Sequence, residues 1–145
     1  MKRKASAEWQ GTLKEGKGNV STESGVLARN QYSFGTRFES GIGTNPEELV
    51  AAAHAACFSM ALSAQLSVAN LVAEKIATTA TVTFENQDQG WTVTESHLEV
   101  SATIPGTTHE MFTKLAQDAK AGCPISRLLN TNITMNAKLM EAAQR

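Results

Sequence analysis

A chain of 145 residues with 41% hydrophobic and 19% charged content is long enough to bury one real core and short for two, so a single domain over residues 1–145 is expected. The formal net charge is -1, and basic residues are scattered apart from Lys2, Arg3 and Lys4. No extended phosphate-binding face can be built from them, which argues against nucleic acid as a partner. The basic start is followed by the mostly polar "ASAEWQGTLKEGKG", not by the apolar stretch of a signal peptide, and a cytoplasmic location is expected.

The first elements read as strands. "KASAEWQGTL" and "KGNVSTES", joined by the turn-like "KEGKG", predict an N-terminal hairpin, and "QYSFGTRF" predicts a further strand ending near Arg37. A glycine-containing turn, "ESGIG", leads to "NPEELVAAAHAACFSM". There Asn45 is placed to cap a helix, Pro46 suits its first position, and Glu47 and Glu48 fall in the first turn.

Residues 49–73 then carry no formal charge. About 20 mostly apolar residues suffice to cross a bilayer, but this run contains His54, Ser59, Ser63, Gln65, Ser67 and Asn70 and is rich in alanine. A buried helix of a soluble protein is the better reading. Running from Pro46 to Ala69 at ~1.5 Å per residue, it is ~36 Å long, more than the ~30 Å width of a small domain, so part of it is expected to pack on a second subunit.

In "IATTATVTFE" the residues Ile76, Ala80, Val82 and Phe84 share one parity, as do Leu98, Val100, Ala102 and Ile104 in "TESHLEVSATI", with "NQDQGW" as the hairpin loop between them. "TTHEMFTKLAQDAKAG" predicts an amphipathic helix with Phe112, Leu115, Ala116 and Ala119 on one side and Gly122 as its stop. "CPISRLLN" predicts a short helix opening at Pro124, and "TNITMNAKL" a last strand. The fold class is α+β, with antiparallel sheet packed on a long central helix.

Chemistry must come from few residues. With only Cys57 and Cys123 present, zinc-type cysteine spacings are missing, and a permanent disulfide is unexpected in a reducing compartment. The pair is either two buried bystanders or a transient redox couple. Small residues, Ala53 and Ala61, lie one turn to either side of Cys57 and leave room at its sulfur. Mid-helix burial makes it a poor nucleophile unless a cation holds the thiolate, with Arg37, Arg127 and protonated His54 as candidates. By local electrostatics Cys123 is the more acidic thiol, because it stands next to a helix start. His54 reads first as a hydrogen-bonded core histidine.

"TRFESGIGTNPEELVAAAHAACFSMALS" together with "AGCPISRLL" and "GKGNVSTESGVL" resembles the OsmC/Ohr family of thiol-dependent organic hydroperoxide reductases, on its OsmC branch. The resemblance covers nearly the whole chain. It implies an intertwined homodimer acting in oxidative and osmotic stress defence, with active sites at the subunit interface, no metal or bound organic cofactor, and an external dithiol as reductant. It makes Cys57 the peroxidatic thiol, Cys123 the resolving thiol, Arg37 the activating cation and Glu47 the carboxylate that holds Arg37.

Against the dipole argument, the resemblance gives the attacking role to Cys57. Apolar neighbours Phe58, Met60 and Leu62 fit a preference for alkyl hydroperoxides, or are ordinary core. Glu47 precedes Cys57 by ~15 Å along a continuous helix, so Glu47 and Arg37 are expected to serve the Cys57 of the other subunit across a two-fold axis. Rival readings are a Cys57–His54 hydrolase, a non-catalytic binding dimer, and a metal site built from Cys57, Cys123, His54 and His97.

Overall fold

The computed structural model describes residues 1–143. Chain contacts group it into two compact units, Met1–Leu49 and Val50–Arg145.

In the first unit, β1 (Ala5–Gln10), β2 (Lys17–Thr22) and β3 (Asn30–Tyr32) form an antiparallel sheet in the order β1-β2-β3. Ala7 pairs with Val20 and Trp9 with Gly18, as a hairpin closed by a glycine-rich turn requires. The expected strand over residues 31–38 stops at Tyr32. From there the chain turns into a short helix, α1 (Phe34–Phe38). The cause is a capping box: Thr36 N donates to Ser33 Oγ at 3.3 Å while Ser33 N donates to Thr36 Oγ1 at 2.8 Å. Arg37 therefore stands in the last turn of a helix, not at a strand end.

Gly43 fixes the turn that follows. It has φ +141°, and a Cβ there would meet Gln31 O at 2.7 Å, so a larger residue would push the turn off β3.

The long helix α2 (Pro46–Val68) has nearly the expected bounds. Its start is capped by Asn45, whose Oδ1 accepts from Glu48 N at 2.8 Å and whose Nδ2 donates to Thr36 O at 3.0 Å. By length and composition it could cross a membrane. Only His54, Phe58, Leu62 and Leu66 of its 23 residues are buried, a single i, i+4 stripe. The expectation of a buried helix is corrected to one stripe. Ala52, Ala53, Ala56, Met60, Ala64 and Val68 leave a second apolar stripe exposed.

In the second unit β4 (Lys75–Gln87) and β5 (Gly90–Thr103) make a long hairpin around Asp88 and Gln89, with Gly90 at φ +110°. A register shift between Thr83 and Phe84 marks a bulge. The next elements are α3 (His109–Gly122), α4 (Pro124–Leu128) and β6 (Asn132–Met140).

The sheet order is β4-β5-β6, and β6 runs parallel to β5. The sheet is thus mixed where antiparallel strands were expected: the two helices make the crossover that a parallel neighbour needs. Alternation buries Ser96, Leu98, Val100, Ala102 and Ile104 against Phe58, Leu62 and Leu66 of α2 and Phe112, Leu115, Ala116 and Ala119 of α3. The predicted parity of β5 and the predicted face of α3 are both found.

Candidate active site

Cys57 lies at mid-length on α2, half-buried, and Cys123 at the junction of α3 and α4, fully buried. The junction is sharp for a local reason. Cys123 N donates to Ala119 O at 2.8 Å to end α3, and Pro124, which has no N–H to leave unpaired, opens α4. Both thiols are free; Cys57 packs against the buried cluster that holds Cys123, and each thiol shifts the titration of the other.

The two sulfurs titrate in opposite directions. Burial is the main cause that pushes the Cys57 thiol up; its bond to Cys123 adds to this, and a backbone N–H from Ile125 offsets part of it. Burial also pushes Cys123 up, but bonds from Cys57, the Ser126 backbone and side chain, and the Ile125 backbone outweigh it and leave that thiol below its ordinary value. The more acidic thiol expected from local electrostatics is therefore Cys123, with named N–H and O–H donors as the cause. Among the described residues of this unit, no cation contributes to the shift of the Cys57 thiol.

The expected cation and its carboxylate are paired in the first unit. Arg37 Nη2 donates to Glu47 Oε1 at 2.8 Å, and Arg37 Nε lies 3.2 Å from Oε1 and 3.3 Å from Oε2. The two planes are clamped at two points, which fixes the guanidinium direction. The Arg37 side chain remains 37% exposed while Glu47 is 13% exposed, so the carboxylate is the more buried partner of the pair. The Arg37 guanidinium carbon also sits 5.5 Å from the ring centre of Phe38. Beside it lies a pocket of about 240 Å³ bordered by the rings of Trp9, Tyr32, Phe34 and Phe38.

Phe58 and Leu62, whose apolarity fitted a preference for alkyl groups, are fully buried core residues, and only Met60 of those three is exposed. His54 is the core histidine the sequence suggested. It is fully buried, its Nδ1 2.7 Å from Ser96 Oγ and its Nε2 2.8 Å from Ser126 Oγ. Burial pushes its pKa down, so the ring is neutral. Both ring nitrogens are occupied by hydroxyls, which leaves none for a Cys57–His54 hydrolase pair.

The metal quartet does not assemble either. His97 bonds Thr134 and Glu99, and among the described residues no three His, Cys, Asp or Glu side chains gather. Ser96 and Ser126 were missed as site residues. Their one sequence signal is position: Ser96 falls on the buried parity of β5.

The family model described as "OsmC-like protein" matches residues 39–138. Peroxiredoxin OsmC of Escherichia coli (strain K12) is 49% identical over 137 residues, covering 94% of this chain and 96% of that protein, and Peroxiredoxin OsmC of Shigella flexneri matches equally. Among solved structures, an OsmC-like protein of unknown function from Vibrio cholerae superposes with a TM-score of 0.76 at 16% identity, covering 95% of this chain and 99% of that one. An organic hydroperoxide resistance protein from Elizabethkingia anophelis gives 0.65 at 27% identity, with 96% of each chain covered. A fold of two small sheets and a long helix, both cysteines packed in one cluster, and a relative half identical over nearly the full length lead to one conclusion: this chain belongs to the OsmC-like protein family.

Proposed function

We propose that this chain is a thiol-dependent peroxidase that reduces organic hydroperoxides to alcohols, and hydrogen peroxide more weakly, through a Cys57 sulfenic acid and a Cys57–Cys123 disulfide. The observation that carries this is that the two free thiols, one half-buried and one fully buried, pack in one cluster and shift each other's titration. Bystander cysteines have no reason to be partners across such a sequence separation.

The Cys57 thiolate attacks the outer oxygen of ROOH. The O–O bond breaks, ROH leaves after taking a proton, and Cys57 becomes a sulfenic acid. Attack by the Cys123 sulfur then forms the S–S bond and releases the hydroxyl as water, which protects Cys57 from further oxidation. A dithiol reduces the disulfide by exchange and resets the pair. Because burial opposes the Cys57 thiolate, a cation has to be brought to it.

Arg37, held by Glu47, is the group for this task. The helix register that separates Glu47 from Cys57 by ~15 Å supports delivery from a second subunit. The uncovered stripe Ala52, Ala56, Met60, Ala64 and Val68 on α2 supports a homodimer that covers it. The ring-lined pocket beside Arg37 suits the alkyl part of the substrate. We place the whole chain in one cytoplasmic peroxidase domain.

The test is peroxide consumption with dithiothreitol as reductant. Wild type turns over and Cys57→Ser is inactive; with the reductant left out, Cys123→Ser consumes about one equivalent of peroxide and accumulates a sulfenic acid that dimedone traps. A Cys57→Ser protein as fast as wild type would overturn the proposal.

A further inference from the structure

The steps above leave one buried polar group unused. His54 is 0% exposed, and its ring bridges two hydroxyls: Nδ1 lies 2.7 Å from Ser96 Oγ on β5, and Nε2 lies 2.8 Å from Ser126 Oγ on α4. Both serines are buried as well. The other buried residues of α2 are Phe58, Leu62 and Leu66, so an apolar side chain would continue the stripe at position 54. A buried imidazole only recovers its lost hydration through such bonds. What it adds over an apolar residue is direction, since two oriented bonds set α2, β5 and α4 at fixed positions.

Those positions bear on the cysteines. His54 precedes Cys57 by three residues on α2, and Ser126 follows Cys123 by three, so the bridge lies about 4.5 Å along each helix from a sulfur-bearing residue. Arg127 N donates to Cys123 O at 3.0 Å and closes the turn that joins Cys123 to Ser126. Beyond Cys57, Ser59 Oγ lies 2.8 Å from Thr78 Oγ1 of β4, which ties α2 to the sheet on both sides of the cysteine. Past the far end of α4, Thr131 Oγ1 donates to Val93 O at 2.9 Å. The Ser126–His54 bond is the tether nearer Cys123.

We propose that His54, held by Ser96, is a positioning residue for the resolving step: through Ser126 it keeps Cys123 beside Cys57, so that the disulfide closes before a second hydroperoxide reaches the sulfenic acid. This rests on the Cys57–Cys123 disulfide proposed above. In that step the Cys123 sulfur attacks the sulfenic sulfur, the S–S bond forms and the S–O bond breaks. The departing hydroxide takes the proton given up by Cys123 and leaves as water. His54 supplies no proton and acts by placement alone, which is where a small displacement costs rate.

The test separates the two oxidations of Cys57. Reduced protein is mixed with increasing tert-butyl hydroperoxide in the absence of reductant, and mass spectrometry gives the ratio of disulfide to sulfinic acid. Single-turnover kinetics give the rate of the first oxidation, to which the ratio is normalised. Ser126→Ala is expected to slow resolution about tenfold, read as sulfinic acid appearing at about tenfold lower hydroperoxide. Ser126→Thr, which keeps the hydroxyl, restores the wild-type ratio.

Leu66→Ala weakens the same buried stripe without touching the bridge. It is expected to unfold at lower urea and still keep the wild-type ratio, so lost stability alone does not imitate the effect. Ser96→Ala shifts the ratio in the direction of Ser126→Ala by a smaller factor, and it carries the test should Ser126→Ala not fold. A wild-type ratio in these two serine variants, or an equal shift in Leu66→Ala, overturns this inference alone. A wild-type protein that forms no 57–123 disulfide overturns it together with the peroxidase reading.

Discussion

Cys57, half-buried, packs against the buried cluster that holds Cys123, and each free thiol shifts the titration of the other. This arrangement places a second sulfur in waiting beside the first. Without it, a Cys57 sulfenic acid has no partner and oxidises further. Mass spectrometry of Cys123→Ser treated with excess tert-butyl hydroperoxide is therefore expected to find sulfinic acid at Cys57, where wild type under the same treatment gives the disulfide. Sulfinic acid in equal yield from both proteins would contradict the protective role of Cys123.

The clamp between Arg37 and Glu47 leads to a prediction that separates activity from stability. With Arg37 37% exposed, the pair is largely screened, and breaking it should cost less than ~1 kcal/mol of folding free energy. A cation aimed at a reacting sulfur is worth far more. Arg37→Ala is expected to slow the reaction with hydroperoxide about a hundredfold, and Glu47→Gln, which keeps the guanidinium but loosens its direction, about tenfold. Single-turnover kinetics alongside a urea titration would check this. A loss of rate no larger than the loss of stability predicts would count against both assignments.

Two residues on α2 test the proposed dimer from opposite sides. Leu62 is fully buried inside the chain, and Leu62→Ala is expected to cost ~3 kcal/mol of stability. Met60 is 75% exposed, and a glutamate there would be nearly neutral in a monomer, within ~0.5 kcal/mol. If a second copy covers this stripe, Met60→Glu buries an unpaired charge and splits the dimer. Sedimentation velocity is expected to show dimeric wild type and monomeric, inactive Met60→Glu. A dimeric, fully active Met60→Glu protein would contradict the arrangement.

His54 gives stability a pH dependence of known sign. Burial lowers its pKa in the folded chain below the ordinary 6.5, so below about that pH the unfolded chain takes up a proton that the folded chain refuses. Stability therefore rises with pH across the window between the folded value and 6.5, and falls as acid is added through it. Urea midpoints measured from neutral pH downward are expected to fall in wild type and to fall less in His54→Gln, which starts from a lower value. Parallel curves for the two proteins would show that His54 is not held neutral.

Much of the fold was legible because its signals are local. Asn45, Pro46 and Glu48 mark the start of α2 within four positions, and the parity of Leu98, Val100, Ala102 and Ile104 fixes the buried face of β5 without reference to anything else. The two cysteines stood out by their scarcity. Less was visible where distant residues decide. Alternation in "QYSFGTRF" suits a strand, and the helix there rests on one reciprocal pair, Ser33 with Thr36. The parallel direction of β6 depends on how α3 and α4 carry the chain back. Ser96 and Ser126 lie 42 and 72 positions from His54, and no pattern near any of the three predicts that they meet.

The most direct test is to treat reduced wild-type protein with one equivalent of an organic hydroperoxide and weigh the product. The account predicts loss of two hydrogens per chain, no oxygen retained, one equivalent of alcohol released, and a peptide pair joined between residues 57 and 123. Two thiols still free with the hydroperoxide unconsumed, or oxidation that spares Cys57, would contradict it.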